Sequence, residues 1–154
     1  MNEFINLAIA EAKKGLRKNH GGPFGAIIVK DGKVISSAHN EVLKNNDPTC
    51  HAEMLAIKKA AKKSKTFDLS GCEIYSLSEP CPMCLAAIYW AKIKKINYCC
   101  SKEEAEKIGF ADNFIYQAMC GNVKDDSLII NKLDESEGLK VFQEWANKED
   151  KIQY

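Results

Sequence analysis

Two short clusters of metal-ligating residues, each opening a helical pattern, constrain this chain more than any other feature. His51-Ala52-Glu53 begins an Ala-, Leu- and Lys-rich run that continues to Lys63, and Pro80-Cys81-Pro82-Met83-Cys84 begins a second run ending at Lys92. Cys-x-x-Cys sets two sulfurs one helical turn apart, so that both face one ion. At a helix N-terminus the positive end of the macrodipole favours thiolate over thiol. Pro82 suits a first turn, where its missing N–H costs nothing. One imidazole and two thiolates match the preferences of zinc. The fold therefore has to bring two helix N-termini to one point. His51, Cys81 and Cys84 leave the fourth tetrahedral position to water, which is the arrangement of a catalytic centre rather than a closed structural one. Glu53 stands two residues beyond His51 as the carboxylate that takes a proton from that water, whose pKa zinc brings to about 7.

The rest of the pattern supplies a scaffold. Phe4, Leu7, Ala8, Ala12 and Leu16 recur at helical spacing over residues 3–18, with Asn2 as cap and Gly21-Gly22-Pro23 as the stop. Gly25–Lys30 and Lys33–His39 are β-rich runs joined by Asp31-Gly32, a strong hairpin signal. Residues 40–50 read as a polar loop. Cys72–Ser78 and Lys95–Ser101 read as strands flanking the Pro82–Lys92 helix. Ser101 and Glu104 form a capping box, a helix follows over residues 113–120, Leu128–Leu133 reads as a last strand, and Gly138–Lys148 as a last helix. Strands alternating with helices predict a three-layer α/β/α sandwich around a central mixed sheet of about five strands, built as one domain over residues 1–154.

Composition excludes several classes. With 154 residues, 45% apolar and 28% charged, the chain is one soluble-type domain and not a disordered one. No apolar run is long enough for a membrane span. The N-terminus lacks a basic region followed by an apolar stretch, which predicts a cytoplasmic protein. In that setting the seven cysteines read as thiols, with Cys50, Cys72, Cys99, Cys100 and Cys120 as small hydrophobic residues. His20 and His39 have no partner pattern and read as ordinary. Lys58, Lys59, Lys62, Lys63 and Lys65 read as a solvated helix face. Net charge is +1, and residues 121–154 carry five lysines against eight acids, which argues against a nucleic-acid partner.

The two ligand clusters together form the H-x-E…P-C-x-x-C signature of the zinc deaminases. On this signature the chain resembles the zinc nucleobase and nucleoside deaminases of the cytidine-deaminase superfamily, over nearly its whole length. Within the superfamily it is most similar to the bacterial guanine deaminases. That similarity rests on Gly22-Pro23-Phe24-Gly25-Ala26, Asn46-Asp47-Pro48-Thr49, Ala87-Ile88-Tyr89-Trp90-Ala91, the run from Gly109 to Tyr116, and Tyr154. The resemblance implies one Zn2+ per chain, a purine base as substrate, and hydrolysis of guanine to xanthine and ammonia. It implies that Asn40 hydrogen-bonds the base edge and that Phe24 and Trp90 flank the ring. Asp112 would face the amino and N–H edge and assist proton transfer, and the backbone near Ala52 would hold developing charge. Ala111 stands where relatives commonly carry an acid beside Asp112. Tyr154 would close the pocket from the partner subunit of a homodimer that exchanges residues 138–154. Leu139, Phe142 and Trp145 give that helix an apolar face to bury. A tRNA adenosine deaminase or a cytosine or triazine deaminase would use the same zinc core. A zinc-binding regulatory module would need a fourth protein ligand and would leave Glu53 without a purpose.

Overall fold

The computed structural model describes residues 2–133 and 135–154. Its centre is a four-stranded mixed sheet in the order β2-β1-β3-β4, made of β1 (Gly25–Lys30), β2 (Lys33–His39), β3 (Cys72–Ser78) and β4 (Lys95–Cys100). The first three strands are antiparallel neighbours, and β4 runs parallel to β3. The β1–β2 turn follows from Asp31 and Gly32, whose φ values of 50° and 69° suit a hairpin whose central residues are both left-handed.

Three layers form because β1 is apolar on both faces. Ile27 and Val29 meet Ile5 and Ala8 of α1 (Glu3–Arg17), while Ala26 and Ile28 meet Ala52, Ala56 and Ala60 of α3 (Ala52–Ser64). The alanines recur every four residues, so α3 offers the sheet a small-residue stripe and approaches it closely. Asn2 caps α1, its side-chain oxygen accepting the Phe4 N–H at 2.9 Å. α4 (Pro82–Trp90) packs beside α3 and buries Ile88 against the same core. Lys59 and Lys63 donate to the Ser37 and Ile35 carbonyls of β2, occupying acceptors on that edge strand.

Two expectations need correction. Residues 40–50 are not all loop: Val42–Asn45 form one helical turn, α2, held because the Leu43 and Lys44 N–H groups donate to the His20 carbonyl at 3.0 Å. Leu128–Leu133 is not a strand, so among the described residues the sheet has four strands and not five. Its apolar, β-branched composition satisfies the strand pattern, but a strand exists only through a ladder partner, and Ile129 and Ile130 are 78% and 85% exposed. The chain beyond β4 forms α5 (Lys102–Lys107), α6 (Asp112–Met119) and α7 (Ser136–Asn147). Ser101 and Glu104 close the capping box of α5. Among the described residues from Gly121 to Tyr154, none is buried. None of the described helices is long and apolar enough to cross a membrane.

Candidate active site

β3 and α4 meet at Pro80, and the loop after α2 meets α3 at His51. His51 and Cys81 are the N-cap residues of α3 and α4, both with extended backbone, so the two helices point their positive ends at one spot. His51 Nδ1 lies 3.5 Å from Cys81 Sγ and 3.6 Å from Cys84 Sγ. Tetrahedral zinc with its usual bond lengths spaces a sulfur and a nitrogen about 3.6 Å apart, so the donor set fits the ion without rearrangement. Among the described residues no fourth His, Cys, Asp or Glu joins this group.

The local electrostatics favour ligation. The Cys84 thiol and the His51 imidazole hold Cys81 well below the usual thiol range against the effect of burial, which favours its thiolate. That thiolate, with burial, pushes the Cys84 thiol up in the metal-free chain. The hydrogen bond to Cys81 raises His51. A coordinated cation reverses the logic for the second thiol, since a metal-bound thiol is deprotonated.

Glu53 is 5% exposed, on the first turn of α3. Burial pushes its carboxyl up, even though the Ser76 hydroxyl donates to Oε1 at 3.0 Å. Its other oxygen lies 3.5 Å from Cys84 Sγ. A buried carboxyl with its pKa raised, beside a metal-binding set, suits proton transfer.

A cleft of about 470 Å³ opens over this group, the size of a small-ligand site. Phe24, Asn40, His51, Glu53, Cys81 and Asp112 all line it. Phe24 stands edge-on to Phe110 at 4.7 Å between ring centres, which fixes its plane. Asn40 is 4% exposed, and its Oδ1 accepts the Val42 N–H at 3.1 Å. Asp112 opens α6 without capping it, because Ala111 is the N-cap and makes no side-chain bond. Burial and the nearby Cys81 charge raise the Asp112 carboxyl. Ala52, fully buried, puts its backbone between His51 and Glu53.

Trp90 and Tyr154 do not reach this cleft within one chain. Trp90 lies at the far end of α4 from Cys81, nine residue steps or about 13.5 Å along the helix. It packs instead on Tyr154, at 5.8 Å between ring centres, in an apolar groove with Phe67.

Other residues at the site carried no recognised signal. The Tyr116 hydroxyl donates to the Pro80 carbonyl at 2.7 Å and steadies the turn that presents Cys81. Burial and the Glu79 charge push Tyr116 up to about 12, so it remains a neutral donor. Gly21, read only as a helix stop, lines the cleft beside Gly22. A Cβ on Gly22 would meet Phe110 at 2.8 Å. Among the remaining cysteines, Cys50 and Cys72 are buried as expected, whereas Cys99 and Cys120 are exposed.

Comparisons with known proteins extend this picture. The family model for the cytidine and deoxycytidylate deaminase zinc-binding region matches residues 1–100. The chain is 41% identical to a guanine deaminase of Bacillus subtilis over 151 residues, covering 98% of this chain and 97% of the relative. It is 50% identical to a tRNA-specific adenosine deaminase of Aquifex aeolicus over 93 residues, covering 60% and 61%. The X-ray structure of guanine deaminase from Bacillus subtilis superposes with a TM-score of 0.93 at 41% identity, covering 100% and 99% of the two chains.

Proposed function

Because the chain belongs to the cytidine and deoxycytidylate deaminase zinc-binding family, we propose that it hydrolyses guanine to xanthine and ammonia. The observation that carries this reading is identity held over the full length. The chain is 41% identical to the guanine deaminase over 98% of its length, whereas the 50% identity to the Aquifex tRNA enzyme covers 60%, and a tRNA-specific adenosine deaminase of Agrobacterium fabrum that covers 92% is 31% identical. The acidic segment 121–154 also opposes a phosphate-rich substrate.

His51, Cys81 and Cys84 would hold the zinc. Bound there, zinc supplies a Lewis acid that brings the pKa of a water to about 7. Glu53 accepts a proton from the attacking water and delivers it to the ring nitrogen next to C2, then takes the remaining proton of the hydroxyl added at C2 and passes it to the amine, which departs as ammonia while that oxygen becomes the carbonyl of xanthine. Asn40 hydrogen-bonds the base edge, and Phe24 flanks the ring. Asp112 accepts from the N–H donors that guanine offers at N1 and its amino group, and assists the second transfer. The Ala52 N–H, at a helix N-terminus, holds charge that develops on the base.

The same reading includes a homodimer that exchanges residues 138–154. The apolar face of α7 is uncovered in a single chain, with Leu139, Phe142 and Trp145 at 51%, 73% and 41% exposure. Such a patch marks an interaction surface. A crossing tail supplies the partner's Tyr154 to the cleft and excludes water from it. The free thiols support a reducing, cytoplasmic setting.

The test measures ammonia and base products in parallel on guanine, cytosine, adenine and a tRNA anticodon stem-loop. Xanthine from guanine at far the highest kcat/KM is expected. Inosine in the stem-loop with no xanthine from guanine overturns the assignment.

A further inference from the structure

His20 and His39 carried no pattern in the sequence, yet the fold brings them together. His20 follows α1, His39 ends β2, and Glu41 lies just beyond. His20 Nδ1 is 2.9 Å from His39 Nε2, and Glu41 Oε1 is 3.6 Å from the latter and 4.0 Å from the former. The point equidistant from three atoms at those separations lies about 2.1 Å from each, which is a zinc–nitrogen or zinc–oxygen bond length.

The surroundings are those of a ligand set. His39 is 6% exposed, and its Nδ1–H donates to Glu11 Oε2 at 2.9 Å. That bond selects the tautomer in which Nε2 carries the lone pair, the carboxylate–histidine arrangement that supports metal-ligating imidazoles. Gly15 of α1 lies against the ring, since a Cβ there would fall 2.8 Å from His39 Cδ2. The imidazole is therefore wedged between helix and strand. The second oxygen of Glu41 accepts from Asn45 Nδ2 at 3.1 Å, which orients the carboxylate. With that lone pair on His39 Nε2, His20 Nδ1–H donates to it at 2.9 Å, and a cation bound there takes the place of the shared proton. Two carboxylates, Glu11 and Glu41, balance a divalent charge. The competing cation is Lys44, whose ammonium lies 3.0 Å from Glu41 Oε1 on a half-exposed stem that is free to swing away.

We propose that His20, His39 and Glu41 form a second divalent-metal site, of zinc-type N2O chemistry, separate from the Cys81–Cys84 centre. Its place in the fold gives it a role. His20 adjoins Gly21 and Gly22, and Glu41 adjoins Asn40 and Val42, all four of which line the cleft. An ion here ties these two stretches of cleft wall together and holds Asn40 in place.

The experiment counts metal and does not depend on turnover, so its outcome is independent of the substrate assignment. Protein stripped with chelator and reloaded with Zn2+ is dialysed and analysed for zinc per chain. Two equivalents are expected in the native sequence, one in His39→Gln and one in His20→Asn, each checked for native circular dichroism. His20→Asn, at the more exposed ligand, serves if His39→Gln does not fold. The double variant Cys81→Ala/Cys84→Ala keeps one equivalent. Loaded with Co2+, it shows ligand-field bands without thiolate-to-cobalt charge transfer. A single equivalent in the native sequence, unchanged by His39→Gln or His20→Asn and abolished by the double cysteine substitution, overturns the proposal.

Discussion

Gly21→Ala tests how the cleft wall is built. A Cβ at this position would lie 2.0 Å from Asn40 Oδ1, where contacts under 3.0 Å essentially do not occur. The Asn40 amide therefore has to retreat by about 1 Å. Retreat breaks its bond to the Val42 N–H, and Asn40 is only 4% exposed. Leaving such a buried group unpaired costs about 1–3 kcal/mol. For a domain of this size that lowers Tm by about 2–4 °C for each kcal/mol. The same movement takes the amide away from the base edge, and at about 1.4 kcal/mol per tenfold the expected rise in KM for guanine is about tenfold. Zinc at the Cys81–Cys84 centre should not change, because His51, Cys81 and Cys84 sit on other elements. The assays are steady-state xanthine formation and calorimetric Tm. Adding Asn40→Ala removes the clashing atom, so the double variant should be more stable than Gly21→Ala alone. Native Tm and native KM in Gly21→Ala would show that Asn40 is not held as described.

Further outcomes follow from the same geometry. Glu53→Gln should keep fold and zinc, since the amide still accepts from Ser76, but lose about 10²–10⁴-fold in kcat because it cannot carry a proton; near-native turnover with full zinc removes Glu53 from the chemistry. Cys84→Ala should lose one zinc equivalent and the thiolate-to-cobalt charge-transfer band of the Co2+ form; an unchanged band would refute its role as a ligand. Deleting residues 150–154 should leave fold and zinc intact while sharply reducing guanine turnover, and unchanged kinetics would sink the idea of a tail that closes the cleft. Asp68 is held down to about 2 by hydrogen bonds from Ser70 and by Lys92. A depressed carboxyl stabilises above its unfolded value of 3.8 and loses that contribution as pH falls toward about 2, so Asp68→Asn should flatten the acid limb of denaturant-unfolding stability in that window.

What was legible in the sequence, and what was not, follows from the range of each interaction. β1, β2 and β3 begin and end where alternation and Asp31-Gly32 predict, because hairpin turns and helix caps are decided by neighbours in the chain. The metal-binding trio was legible for a related reason: each half of the motif is local, and only its convergence belongs to the fold. Leu128–Leu133 misled because residue type reports affinity for a pleated, half-buried surface and not whether a partner strand exists. Trp90 lies away from the cleft of its own chain, packed on Tyr154, because family likeness names a residue without fixing where a single chain places it. His20, His39, Glu41 and Glu11 come from a helix, the loop after it, a strand end and the residues beyond it, with no fixed spacing to give them away. Their convergence depends on α1 crossing β1 and β2 at one angle, with Gly15 making room for an imidazole. Chemistry carried by spacing within one element can be read from a sequence. Chemistry carried by the crossing of two elements cannot, and in this protein the crossing of α1 over the sheet sets the wall that holds Asn40.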